Sequence, residues 1–109
     1  MKQGEEYSLQ QACVKWFRLQ YPQYLCFSCP NEATYRNKQY FSNLGALAGV
    51  SDLICILPNK VLFIELKSKT GRQSIEQKQF MEKVEDLGFE YHLIRNIEDF
   101  IDLINEKIC

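Results

Sequence analysis

The chain is short of the residues that announce several classes of protein. Three prolines and five glycines in 109 residues leave no room for a collagen-like, linker-like or low-complexity segment. No apolar run approaches the roughly twenty residues of a membrane-spanning helix, and residues 1–12 are polar, without the apolar stretch of a secretion signal. There is a single histidine, His92, so multi-histidine metal sites are excluded. The formal net charge is only −1, so the bulk charge does not mark a nucleic-acid binder, and any phosphate contact must come from a local cluster of Lys and Arg. The cysteines number five, an odd and scattered set. Free thiols in a reducing cytosol are the reading this favours over a disulfide scaffold.

What is present is ordinary for one globular domain: 46% hydrophobic and 25% charged residues, in a length that suits one modest core over residues 1–109. From Glu6 to about Gln20, Leu9, Cys13, Trp16 and Phe17 recur at helical spacing, and Pro22 ends that helix. The stretch "YLCFSC" at 24–29 reads as a strand. A short helix is expected near Lys38 to Leu47, with Gly45 and Gly49 marking a close approach to a neighbouring element. "SDLICILPNKVLFIELK" reads as two strands around a Pro58-Asn59 turn. Ser74 opens a helix striped by Phe80, Val84 and Leu87 and ended by Gly88. "FEYHLIRN" is a strand, and Phe100, Ile101, Ile104 and Ile108 stripe a last helix. This order predicts an α/β fold, a mixed sheet with helices packed on it.

The stretch "VLFIELK" carries the chemistry. Side chains alternate along a strand, so Glu65 and Lys67 share a face of an otherwise apolar run. Burying two charges there needs a reason. Asp52 lies at the start of the preceding strand, and in an antiparallel hairpin it falls at the same end as Glu65 and Lys67. Two carboxylates converging from adjacent strands suit a hard divalent cation. Such a cation activates water and offsets charge on a scissile phosphate, and Lys67 would orient the water or stabilise the phosphate. The plain alternative is a structural Glu–Lys ion pair at a strand edge.

Glu6 lies on the apolar stripe of the first helix and so faces the body of the protein. Favourable placement of an acid in a first turn explains it equally well, and Glu5 is the alternative inward residue. Gln77 also lies on a stripe, although Ser74 and Gln77 form the pattern of a capping box. Lys69 and Arg72, next to Gly71, crowd the loop after Glu65, where they could meet a phosphate backbone, as charges on a solvated loop need not. Lys2, Lys15, Arg18, Arg36 and Lys38 lie elsewhere. "CFSC" has a CxxC spacing, but residues three apart in a strand face opposite sides, which opposes joint zinc chelation. His92, in an apolar strand, reads as a packed core residue. Asn31 and Glu32 are turn or site-rim residues.

Taken together, Glu6, Asp52, Glu65, Lys67 and Gln77 give a chain that resembles the VRR-NUC family, a branch of the PD-(D/E)xK nuclease superfamily. The resemblance runs over nearly the whole chain. It includes "EYSLQQACVKWFRLQYP", "PNE", "GVSDL", "FIELKSKTGRQSIEQ" and "LGFEY". It implies a restriction-endonuclease-like core of mixed sheet flanked by helices, and a magnesium- or manganese-dependent site. Glu6, Asp52, Glu65 and Lys67 map onto the catalytic set and Gln77 onto the family's helix glutamine. Asp52, Glu65 and the Leu66 backbone carbonyl would hold the metal, with Glu6 joining directly or through water, and Lys69, Arg72, Arg36 and Lys38 would meet DNA. The family usually has Pro before the Asp. Ser51 stands there instead, a loss expected to be tolerated because that Pro shapes backbone and binds no metal. Small family members resemble structure-specific nucleases such as Holliday-junction cutters and tend to be homodimers. A branched-DNA endonuclease in the cytoplasm of a bacterial or phage-infected cell is therefore the expectation. A non-catalytic nucleic-acid-binding module that kept the fold is the competing one.

Overall fold

The computed structural model describes residues 2–29 and 38–109. The first helix, α1 (Lys2–Gln20), is followed by strand β1 (Leu25–Ser28), a short helix α2 (Lys38–Asn43), strands β2 (Leu53–Leu57) and β3 (Lys60–Leu66), helix α3 (Ile75–Asp86), strand β4 (Glu90–Ile94) and helix α4 (Ile97–Ile108). The sheet order is β1-β2-β3-β4. β1 and β2 are antiparallel to their next neighbours, and β4 lies parallel to β3. The expected mixed sheet is therefore present. The parallel step requires a crossover, which α3 supplies.

Local chemistry explains the elements. β2 and β3 form a tight hairpin in which Leu57 pairs with Lys60, leaving Pro58 and Asn59 as the turn. Asn59 takes the left-handed conformation, φ 59°, which Asn tolerates better than other side-chain-bearing residues. Ser74 caps α3: its side chain accepts from the Gln77 N–H, and the Gln77 side chain accepts from the Ser74 N–H. Asn96 caps α4 by accepting from the Asp99 N–H at 2.8 Å. α1 begins four residues earlier than its apolar stripe suggests.

The strand alternation divides the molecule into layers. Leu53, Cys55, Leu57, Leu62, Ile64, Leu66 and Ile94 point to one face, where they are buried with Cys13 and Phe17 of α1 and Phe100 and Ile104 of α4. Phe17 and Phe100 are fully buried, and each such ring contributes about 1.5–3 kcal/mol of hydrophobic stabilisation. Trp16 meets Phe100 edge-on at 6.0 Å, and the Tyr21 hydroxyl donates to Asn105 Oδ1 at 2.6 Å, so α1 and α4 are joined by packing and by a hydrogen bond. The opposite face carries Phe63 and Tyr91, against which Phe80 of α3 packs edge-on. Val84 is the buried residue of α3. Leu87 is the C-cap and is exposed, so the apolar stripe ends one turn sooner than its sequence suggests.

Gly49 makes the close approach foreseen for it. Its φ is +79°, and a Cβ there would overlap the Glu76 backbone carbonyl. The loop after α2 thus seats the first turn of α3 directly, backbone on backbone.

Candidate active site

The site forms at the open end of the β2–β3 hairpin. Leu53 pairs with Ile64, so one step further along the register sets Asp52 opposite Glu65 on the same face. Asp52 Oδ2 accepts from the Leu66 N–H at 2.7 Å, and the Asp52 carbonyl accepts from the Cys29 N–H at 2.9 Å. The acid is therefore held at both its side chain and its backbone. Glu65 is 1% exposed. Its Oε1 accepts from the Tyr91 hydroxyl, and its Oε2 lies 3.5 Å from Lys67 Nζ.

α1 brings its first turn to the same place. Glu6 Oε2 accepts from the Ser68 N–H at 3.2 Å. Glu5 is exposed, which resolves the choice between the two acids: Glu6 is the inward one. Asp52, Glu65 and Lys67 gather within one locality and Glu6 borders it.

The electrostatics describe an acid-rich pocket. Burial pushes the Asp52 carboxyl above its ordinary range, and the negative charge of Glu6 pushes it further, against the Leu66 N–H and Lys67. Burial likewise raises Glu65; Asp52 adds to the rise, while the Tyr91 hydroxyl and Lys67 oppose it. Tyr91 is itself held firmly protonated by burial and by the Glu65 carboxylate. The Lys67–Glu65 ion pair is real, but one lysine faces three acids. A merely structural pair would not need the other two carboxylates beside it.

That surplus is the test of fit for a divalent cation. The donors are hard oxygens whose mutual repulsion a cation would relieve. Among the described residues no three His, Cys, Asp or Glu side chains are gathered closely enough to enclose a metal. Asp52 and Glu65 would be the direct side-chain donors and water or substrate oxygens would complete the shell, the manner in which magnesium is usually held.

The loop at 67–73 is fastened from two sides. Arg95, the residue after β4 and its Ile94, donates through Nη1 to the carbonyls of Ser68 at 2.7 Å, Gly71 at 2.8 Å and Lys69 at 3.3 Å. Glu6 holds it from α1. Gly71 is buried where a Cβ would sit 3.0 Å from Ser68 Oγ and 3.4 Å from Glu6 Oε2. Lys69 and Arg72 remain exposed on this loop, free to meet a polyanion. Arg36, Asn31, Glu32 and the Lys38 side chain lie outside the described residues.

Gln77 is engaged in the cap of α3, its Oε1 accepting from Ser74 at 2.8 Å. Among the described residues no hydrogen bond joins it to Glu65 or Lys67. The glutamine that does reach this network is Gln73, whose Nε2 donates to the Tyr91 hydroxyl at 3.4 Å. Sequence reasoning missed Gln73, Tyr91 and Arg95. Tyr91 was findable only through the β3–β4 register, which pairs Phe63 with Tyr91 and Glu65 with Leu93 and which no local pattern encodes. His92 departs from expectation: it is half-buried and pairs with Glu90 Oε1 at 2.9 Å, which Lys107 also contacts at 2.8 Å, so it belongs to a surface charge cluster. Cys26 points into the core while Cys29 sits beside Asp52. Ser51, where the related sequences carry Pro, is fully buried and donates to the Leu53 carbonyl at 3.3 Å.

A four-stranded mixed sheet layered between helices, with an acid–lysine cluster at the open end of its central hairpin, defines a small α/β domain of the nuclease-core type. The chain belongs to the VRR-NUC domain family, whose model matches residues 3–96. The family is one of nucleases, so this is a nuclease-type domain with a DNA-related function. A solved structure described as a VRR_NUC domain protein superposes with a TM-score of 0.74 at 22% identity, over 95% of this chain and 89% of that one, which shows the shared fold. A comparison with curated proteins finds no match. Among the described residues no helix is long and apolar enough to cross a membrane.

Proposed function

We propose that the protein is a metal-dependent DNA endonuclease that hydrolyses phosphodiester bonds in branched DNA such as a Holliday junction. The observation that carries the reading is the convergence of Asp52 and Glu65, opposite one another in register, with Lys67 at 3.5 Å from Glu65. Asp52 and Glu65 would hold magnesium or manganese, with the Leu66 carbonyl beside them and Glu6 acting through water. When bound, such an ion lowers the pKa of water and offsets the charge of the phosphate under attack.

The chain's own residues do the rest. The Leu66 N–H fixes the Asp52 carboxylate, and Tyr91 fixes one oxygen of Glu65. Lys67, mostly buried at 13% exposure, holds its ammonium at the cluster. There it positions the attacking water and stabilises charge building on the phosphoryl oxygens. Lys69 and Arg72 bind phosphates flanking the cut. Gln77 steadies the first turn of α3 through its cap and orients Lys67 or the water from there.

The preference for branched DNA rests on the resemblance to junction cutters. An unpaired apolar strip on the sheet face away from α1, made by Leu25, Phe27 and Ile56, supports pairing of two copies, and a two-fold dimer would present two sites to the two strands of a junction. All five cysteines are free thiols, which suits the reducing cytoplasm of a bacterial or phage-infected cell.

The test is cleavage of labelled four-way junction, flap, single-stranded and duplex DNA with magnesium, manganese or chelator, beside Lys67→Ala. Wild type is expected to cut a branched substrate only with metal. Lys67→Ala is expected to lose cutting by about a hundredfold or more while still binding DNA. Binding without cutting by the folded, metal-supplied wild type would instead establish the non-catalytic binding module.

A further inference from the structure

Cys13, Cys26 and Cys55 are buried in the core between α1 and the sheet, and the proposed hydrolysis uses none of them. Their positions are not equivalent. Cys26 and Cys55 are register partners across β1 and β2. The phase of that ladder comes from one bond: Cys29 N–H donates to the Asp52 carbonyl at 2.9 Å. In the same register, the pair 29/52 is therefore hydrogen-bonded. The alternation then makes 27/54 and 25/56 hydrogen-bonded pairs and 28/53 and 26/55 non-hydrogen-bonded ones.

At a non-hydrogen-bonded antiparallel pair the Cα atoms stand about 4.5 Å apart and the side chains lie closest. That separation falls within the roughly 4.4–6.8 Å span of a disulfide. Both thiols lie on the core face, 4% and 0% exposed, and the Cys55 thiol donates to the Cys26 sulfur. Arg18 is fastened beside them, donating from Nη2 to the Cys26 carbonyl at 3.1 Å. The Cys55 donor and the Arg18 charge hold the Cys26 thiol below its ordinary range, which makes it the more nucleophilic of the two. Cys13, by contrast, belongs to a helix and is pushed up by burial to about 12.

We propose that Cys26 and Cys55 form a modification site, a cross-strand dithiol that a hydroperoxide oxidises to a disulfide joining β1 to β2. The Cys26 sulfur attacks the distal oxygen of the hydroperoxide. The O–O bond breaks, and the leaving alkoxide or hydroxide takes the thiol proton, leaving a sulfenic acid. The Cys55 sulfur then attacks the sulfenic sulfur, the S–S bond forms, and the hydroxyl leaves as water with the Cys55 proton. Two thiols and one hydroperoxide thus give one disulfide, one alcohol or water, and one water. Access comes through β1, an edge strand of four residues flanked by exposed Leu25 and Phe27, the kind of element that opens locally without global unfolding. The bond would lock that edge three residues from Asp52.

The experiment uses the full chain carrying Cys29→Ser and Cys109→Ser, so that the three buried thiols remain. Native protein is treated with hydrogen peroxide, quenched with iodoacetamide and analysed by intact mass and non-reducing peptide mapping. The expected result is loss of two hydrogen masses, one peptide pair joining Cys26 to Cys55, a free Cys13, a raised urea midpoint, and reversal of all of these by dithiothreitol. Adding Cys55→Ser or Cys55→Ala, each shown to melt cooperatively, is expected to abolish the mass loss. Thiols that all remain reduced, a gain of oxygen in place of the hydrogen loss, or a link through Cys13 would overturn the proposal. No nuclease activity enters the readout.

Discussion

The Tyr91 hydroxyl donates to Glu65 Oε1, so a phenol on β4 orients a carboxylate on β3. The partner oxygen of that carboxylate faces Lys67. Each oxygen of Glu65 thus has one assigned neighbour, and the orientation of the whole group is set before any ligand arrives. Tyr91→Phe keeps the ring packed on Phe80 and removes only the donor. Loss of such a supporting hydrogen bond typically costs about 10–100-fold in metal affinity or activity. We expect manganese binding, followed by calorimetry, to weaken within that range while the fold and DNA binding in chelator stay as in wild type. Unchanged manganese affinity would show that the hydroxyl merely satisfies itself.

The raised carboxyls give the metal-free domain a definite pH response. A carboxyl whose pKa is higher in the folded than in the unfolded state keeps its proton longer when folded. Stability is then greatest below the ordinary carboxylate value and falls as pH rises toward the folded one. Asp52, raised by burial and by Glu6, has this sign. In chelator, Asp52→Asn is expected to melt higher than wild type at neutral pH, with the difference closing near pH 4, about the ordinary carboxylate value. Thermal melts from pH 4 to 8 measure it; a difference independent of pH would contradict the electrostatic account.

Arg95 offers one nitrogen to three carbonyls of the loop that succeeds β3. Without it, Glu6 alone ties the loop to the body of the domain. Arg95→Ala should leave the core intact and loosen the loop. Hydrogen exchange is expected to speed at the amides of Ser68 and Gly71 by about tenfold, the equivalent of roughly 1.4 kcal/mol, with exchange in β2 unchanged.

Gly49 is a backbone seat for α3, with both a left-handed φ and no space for a Cβ. Gly49→Ala must therefore bear the left-handed penalty of about 1–2 kcal/mol and a steric clash in addition. Urea denaturation should show destabilisation of at least about 2 kcal/mol. Gly45→Ala shares the positive φ, 104°, but meets no atom within 4 Å, so it should cost measurably less.

Much of this architecture was written locally. The α1 and α4 stripes, the Pro58-Asn59 turn, the Ser74 capping box and the Gly49 contact each depend on residues a few positions apart, and spacing and turn chemistry suffice to read them. So does the shared face of Glu65 and Lys67, since strand alternation is a local rule. The hairpin extended that logic to Asp52 because a two-residue turn fixes register along both strands.

Contacts that cross between elements were decided by the packed fold alone. The parallel placement of β4 beside β3 brings Tyr91 to Glu65, and Arg95 at the end of β4 reaches the loop. The direction of α1 selects Glu6 over Glu5, and the β1–β2 register makes Cys26 and Cys55 partners. Each of these contacts joins residues far apart in sequence, and their geometry comes from how layers pack. Residue order alone therefore set the elements and the acid–lysine chemistry of the hairpin. Packing determined which hydrogen-bond partners aim that chemistry, because a buried polar group must find its partner wherever the fold places one.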